Sequence, residues 1–175
     1  MTTKTIAATL LSVYGERVSD KNINLSYADV YKLHAVYEAP LIGSATVSSP
    51  SLTIASSTGT FSVGEIITGS STGATGRVII NSPATTIQYV ILTGTFTTND
   101  VISGGTSGYV ANVTATLSGD RNVTANFLLD TGQRDSYYDI SRLSQKPEAV
   151  QPVGQLLVIF DYFSPGTGDY FDVDS

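Results

Sequence analysis

Apolar and polar positions alternate along much of this chain, and the alternation predicts strands rather than helices. QLLVIFDYF at 155–163 is an almost unbroken apolar run, which reads as a central strand buried on both faces with Asp161 near its end. At 23–39, INLSYADVYKLHAVYEA fits two periods. Val30, Leu33 and Tyr37 make a helical stripe, whereas Tyr31, Leu33, Ala35 and Tyr37 alternate as a strand. The strand is the better reading, with Asp29 marking the turn before it and Pro40 ending it. TTIQYVILTGTF and GYVANVTATL are dense in β-branched and aromatic residues, and Ser and Thr between their apolar neighbours suggest a sheet with one wet face.

A repeat organises the middle of the chain. TGTFSVGEIITGSSTGATGRV at 58–78 aligns without gaps to TGTFTTNDVISGGTSGYVANV at 93–113, an offset of 35 residues. The alignment pairs Phe61 with Phe96, Glu65 with Asp100, Ile67 with Ile102, Gly69 with Gly104, Gly73 with Gly108 and Val78 with Val113. Each copy predicts an apolar strand, a turn near the acid, a short Ile/Val strand, a Gly/Ser/Thr turn and another strand. Residues 51–55 and 86–92 supply preceding strands. Gly69, Gly73, Gly104, Gly105 and Gly108 are expected to turn the hairpins through positive φ. Neither copy has the Lys that a phosphate-binding loop requires after its last glycine. Glu65 and Asp100, each beside a turn, are expected to face solvent.

Charge follows the same division. Residues 1–40 carry eight charged side chains, residues 41–119 only Glu65, Arg77 and Asp100, and residues 120–175 thirteen. The boundaries suggest a lead or arm at 1–19, a discontinuous β-sandwich-like host domain at 20–40 and 120–175, and a Gly/Ser/Thr-rich β-repeat module inserted at 41–119. The expected fold class is therefore all-β. A net charge of -6 with nine scattered Lys and Arg argues against nucleic-acid binding. No run is long enough for an apolar membrane span, and the opening residues read as mature sequence rather than a signal peptide. The ending FDVDS reads as a piece of a longer protein.

With no Cys and one histidine, His34, the chain offers little for a metal centre or a nucleophilic catalyst, and His34 reads as a packed or surface residue. No catalytic residue, cofactor or metal is expected. The densest chemistry lies in NFLLDTGQRDSYYDISRLSQKP, where Arg134 and Arg142 are placed to pair with Asp135 or Asp139 and pin a loop. Tyr137, Tyr138, Tyr162 and Tyr170 are candidates for an interaction surface, because tyrosine offers a large apolar face with a polar tip. Asp169, Asp172 and Asp174 alternate with apolar residues and read as one solvent face.

LDTGQRDSYYDISRL, followed by GQLLVIFDYFSPGTGDYFDVDS, resembles a segment of large virion proteins of tailed bacteriophages, especially contractile-tailed phages of cyanobacteria and their marine relatives. DVYKLHAVYEA at 29–39 is similar to the stretch that precedes it there, and GTFSVGEIITGSSTGATGRV resembles a small β module recurrent in phage tail and baseplate-associated proteins. Together these phrases cover most of residues 22–175. The resemblance implies a non-enzymatic structural and interaction domain of a virion, associated with its tail, baseplate or fibre and assembled in the host cytoplasm. It further implies a homo-oligomer in the particle, with other virion proteins as partners and no insertion into membrane. A glycan or host-receptor binding module is the alternative, with a host surface glycan as ligand.

Overall fold

The computed structural model describes residues 1–6, 17–40, 46–82, 85–137 and 139–164. In chain order its strands are β1 (Thr2–Ile6), β2 (Asn22–Asn24), β3 (Val30–Glu38), β4 (Ser51–Ala55), β5 (Ile66–Gly69), β6 (Thr75–Ser82), β7 (Thr86–Thr93), β8 (Val101–Gly104), β9 (Val110–Leu117), β10 (Arg121–Asn122), β11 (Phe127–Asp130), β12 (Arg142–Gln145) and β13 (Leu156–Tyr162). A short 3-10 turn spans Thr124–Asn126. The fold is all-β. Among the described residues, no helix is long and apolar enough to cross a membrane.

Two open sheets form one part of the molecule. The first has the order β1-β13-β3-β10 and the second β11-β12-β2. They share a core of Ile23, Leu25, Val30, Val36, Phe127, Leu143, Leu156, Val158 and Phe160, all nearly inaccessible to water. As its apolar run predicts, β13 lies inside its sheet, between β1 and β3. The second part is a closed barrel with the cyclic order β4-β7-β6-β5-β8-β9, filled by Leu52, Ile54, Phe61, Ile67, Val78, Ile87, Tyr89, Phe96, Ile102 and Val113. Closure removes the free edges that short Ser/Thr-rich strands would otherwise expose. Phe61 and Phe96 are buried in the barrel core but lie outside strands, so the apolar strand expected at the start of each copy does not form.

The barrel interrupts a hairpin. β3 and β10 pair directly, Glu38 opposite Arg121 and Tyr37 opposite Asn122, and the barrel occupies the chain between them. Its first and last residues, Ser51 and Leu117, are themselves ladder partners, so the module leaves and re-enters the hairpin at neighbouring points. It then folds back onto the outer face of the first sheet. Ile79 of β6, Val90 of β7 and Val47 pack with Ala35, Tyr37, Ala39 and Ile159 in a third buried cluster. That cover explains why Ala35 through Glu38 are all buried instead of alternating.

Two irregularities in the β3–β13 ladder alter the simple alternation. Ile159 and Phe160 oppose Ala35 and Leu33, so His34 is an extra residue; Asp161 and Tyr162 oppose Lys32 and Val30, so Tyr31 is another. Each bulge re-aims the chain locally. Leu33 consequently packs with the core between the two open sheets, while Ala35 and Tyr37 pack under the barrel.

Candidate interaction surface

The two ends of β3 have different surroundings. At the Glu38 end, the buried carboxylate accepts hydrogen bonds from the Val153 N–H (2.7 Å) and Gly154 N–H (3.2 Å) and pairs with Arg121. Burial pushes the Glu38 carboxyl up, but the Val153 N–H, Arg121 and the Gly154 N–H together hold it below the ordinary value. This end is fastened to β10, where the chain returns from the barrel, and to the β12–β13 connection. At the Val30 end, about 27 Å away for a nine-residue strand, the chain is exposed and aromatic.

The exposed end is built from Asp29–Tyr31, Phe163 and the loop between β11 and β12. Asp29 has φ 56°, and its carbonyl accepts the Phe163 N–H (3.1 Å), which brings Phe163 across to β3. The bulge at Tyr31 turns its ring onto Phe163, with centroids 4.5 Å apart and planes at 31°. Tyr31 is 51% exposed and Phe163 65%. Ser141 anchors the loop to the same end: its Oγ accepts the Val30 N–H and donates to the Thr131 carbonyl, and its N–H donates to the Tyr27 carbonyl. Tyr137 and Ile140 stand out from this loop into solvent.

Ion pairs brace the loop, with one change from the expected pairing. Arg142 donates to Asp139 (2.8 Å), as the sequence suggests. Arg134 instead forms a bidentate pair with Asp130, four residues back, at 3.0 and 2.7 Å, and Asp135 is exposed. The fork geometry of the guanidinium favours this two-point contact at the end of β11. Hydrogen bonding from Arg134, then from the Gly132 N–H, lowers the Asp130 carboxyl to about 2, and Asp130 in turn raises Arg134.

Of the tyrosines proposed from sequence, Tyr137 is exposed in this loop, and Tyr162 is half-buried against Tyr27 at 4.3 Å. Tyr138 and Tyr170 lie outside the described residues, as do Asp169, Asp172 and Asp174. Tyr31 was hidden from sequence reasoning because regular alternation gives no sign of a bulge. Phe163 was legible only as one more aromatic after β13. His34, the other bulged residue, meets Asp161 at 2.7 Å.

Glu65 and Asp100 require a correction. They are 5% and 1% exposed, not on the solvent face. Glu65 accepts hydrogen bonds from the N–H groups of Thr106 and Ser107 and from the Ser107 hydroxyl. Asp100 accepts from the Ser71 N–H (2.9 Å) and the Thr72 hydroxyl (2.5 Å). Each acid therefore holds the turn that follows the other acid's partner strand. Burial raises both carboxyls, yet the hydrogen bonds outweigh it and both titrate below their ordinary values. Gly69 and Gly104 make room for them: a Cβ at Gly69 would strike Asp100, and one at Gly104 would strike Ser107 and Glu65. Positive φ is needed at Gly73 and Gly108, but Gly69, Gly104 and Gly105 serve by lacking a side chain.

Two cavities lie away from the aromatic end. One of about 430 Å³ is lined by Ser19, Lys21, Gln145, Lys146, Pro147, Ala149 and Gln151. The other, about 320 Å³, is lined by Thr46, Val47, Ser48, Ser49, Ser51, Thr86 and Gln88. Neither lining contains a carboxylate or a histidine. Among the described residues, no group of three or more His, Cys, Asp or Glu is placed to hold a metal ion. Compared with family models, curated proteins and solved structures, the chain matches none.

Proposed function

We propose that this chain is a non-enzymatic structural domain of a bacteriophage virion, associated with the tail, baseplate or fibre, and that it works by presenting rigid surfaces to neighbouring proteins. In this reading the two open sheets are the layers of a sandwich, and the barrel is a duplicated 35-residue unit inserted at the β3–β10 hairpin. The sequence resemblance supports the virion assignment.

The duplication has support from register and bonding. β5 begins at Ile66 and β8 at Val101, β6 at Thr75 and β9 at Val110, and β4 at Ser51 and β7 at Thr86, each pair 35 residues apart. The β5–β8 ladder pairs Ile67 with Gly104 and Gly69 with Ile102, which is the same contact viewed from either copy. Thr68 opposite Ser103 then marks an approximate two-fold axis.

The observation that carries the assembly role is the stacked, exposed pair of Tyr31 and Phe163 at the end of β3 remote from the barrel. The rings are held by a bulge and a backbone hydrogen bond before any partner arrives. Contact there immobilises little further side-chain freedom, which favours association. Large aromatic faces suit the centre of a protein interface, and Tyr31 adds a polar tip.

The test is reconstitution with the proteins that flank the chain in its particle. Wild-type chain should co-sediment with them, and Tyr31→Ser with Phe163→Ser should weaken that association about tenfold or more, equivalent to about 1.4 kcal/mol. Absence of co-sedimentation, or equal retention of the double variant, would overturn the role assigned to this end. Binding to an isolated saccharide but to no particle protein would replace the assembly role with glycan recognition.

A further inference from the structure

Two turns meet at one end of the second sheet, where β12 leaves it and β2 enters it. Residues 146–149 form the first, with Pro147 at its second position, where the fixed φ of the ring suits a turn. The Ala149 N–H closes it on the Lys146 carbonyl at 3.1 Å. Residues 17–20 form the second, closed by the Asp20 N–H on the Arg17 carbonyl at 3.0 Å. Two hydrogen bonds tie the turns together, from the Gln145 N–H to the Lys21 carbonyl (2.8 Å) and from Gln151 Nε2 to the Ser19 carbonyl (2.9 Å). The cavity of about 430 Å³ lies between them, and small-molecule sites commonly measure about 300–1,000 Å³.

The protein itself uses only part of the chemistry that lines this cavity. Lys146 Nζ donates to the Ala125 carbonyl at 2.7 Å, which leaves two of its three hydrogens. The Lys21 ammonium and the Ser19 hydroxyl, both on exposed residues, have no hydrogen-bond partner among the described residues. Gln145 and Gln151 each donate from the amide nitrogen, to the Ala149 and Ser19 carbonyls, and their amide oxygens remain as acceptors. No carboxylate lines the cavity: Asp20 accepts the Arg17 N–H at 2.8 Å, and Glu148 is exposed on the other turn. Two ammonium groups thus border one recess in a chain of net charge -6, and a recess lined by one sign of charge concentrates the other. Pro147 and Ala149 add an apolar patch to its wall.

We propose that this cavity is a binding site for a sugar acid, a saccharide unit that carries a carboxylate beside its hydroxyl groups. Lys21 holds the carboxylate, with Lys146 as a second positive charge, in charge-assisted hydrogen bonds. The amide oxygens of Gln145 and Gln151 and the Ser19 hydroxyl take the sugar hydroxyls, and Pro147 and Ala149 lie against its C–H face. A neutral sugar would leave the Lys21 ammonium without a counter-ion, and a bare inorganic anion would leave the amide oxygens short of hydroxyl donors. The two turns are already cross-tied, so the ligand meets a formed wall. The site lies away from Tyr31 and Phe163, so a saccharide and a neighbouring protein can be held together. It goes beyond the assembly role and does not depend on it.

The experiment is an NMR titration of the isotope-labelled full chain with sodium galacturonate, with galactose and inorganic phosphate as matched probes. Galacturonate should shift the backbone amide signals around residues 19–21 and 145–151 saturably, with a dissociation constant of about 1 mM or tighter. Galactose and phosphate should each bind at least tenfold more weakly. Lys21→Met should weaken galacturonate binding at least tenfold. Its spectrum should otherwise match the wild type, because the Lys21 ammonium holds nothing among the described residues. Lys32→Met, which removes an exposed lysine beside Tyr31, should bind galacturonate as the wild type does. Absence of saturable shifts, shifts centred elsewhere, equal affinity for galactose or for phosphate, or full affinity in Lys21→Met would overturn the proposal. Co-sedimentation with flanking proteins is a separate readout, so the assembly role stands or falls independently of this result.

Discussion

At the scale of single residues, matching positions in the two halves of the barrel show what the local geometry demands. Gly64 has φ 90° and Asn99, its counterpart, φ 71°. Asparagine is among the few residues that tolerate this conformation. Gly64→Asn should therefore change stability by less than about 1 kcal/mol in urea unfolding, whereas Gly104→Ala should cost roughly 1–3 kcal/mol because its methyl group meets Glu65 and Ser107. The buried acids set the response to pH. Glu38, Glu65 and Asp100 titrate below their ordinary values of 4.5, 4.5 and 3.8 when folded. Their contribution is thus complete above those values and is lost as pH falls through the lower folded ones. Unfolding free energy should drop between about pH 5 and about pH 2, and Glu65→Gln with Asp100→Asn should flatten that decline. Tyr37 is the opposite case: its hydroxyl lies buried without a hydrogen bond of ordinary geometry, and burial followed by the neighbouring Tyr89 raises its pKa to about 12. Tyr37→Phe should change the unfolding free energy by less than about 1 kcal/mol, since the buried hydroxyl it removes has only the Ile91 backbone as a poorly aligned partner.

At the scale of elements, the strands that were easiest to read are those whose burial follows from their own sequence. The apolar run at 155–163 forms β13, and β5 and β8, like β6 and β9, begin 35 residues apart. What the sequence concealed lies where one element alters another's environment. Alternation in β3 is interrupted by bulges at Tyr31 and His34 and then obscured by the barrel covering Ala35 and Tyr37. Acids beside turns ordinarily face water, and the sequence gives no local sign that Ser71, Thr72, Thr106 and Ser107 would receive Glu65 and Asp100 from the other half. Arg134 illustrates a shorter-range version: Asp135 is its neighbour in sequence, but Asp130 offers both oxygens at the end of β11. The β13 core position Phe160 is fully buried, and Phe160→Ala should cost roughly 3–5 kcal/mol in urea unfolding. Removing the exposed ring of Phe163 should cost far less, which separates its contact role from a role in the fold.

For the whole molecule, insertion at the β3–β10 hairpin and packing through Ile79 and Val90 join barrel and sheets at one end, leaving the aromatic end clear. The barrel contributes stiffness through closure and an uncharged face, and the sheets contribute the rings of Tyr31 and Phe163 and the ion-paired loop. These are properties suited to repeated positioning among neighbours, as in the proposed role of a fixed component of a virion. The most direct measurement is quantitative mass spectrometry of purified, intact particles alongside the soluble fraction of the producing cell. Peptides from this chain should be found in the particles at a constant stoichiometry to the other structural proteins and should be retained through washing in high salt. Its recovery only in the soluble fraction, with particles complete without it, would rule out a structural role in the virion.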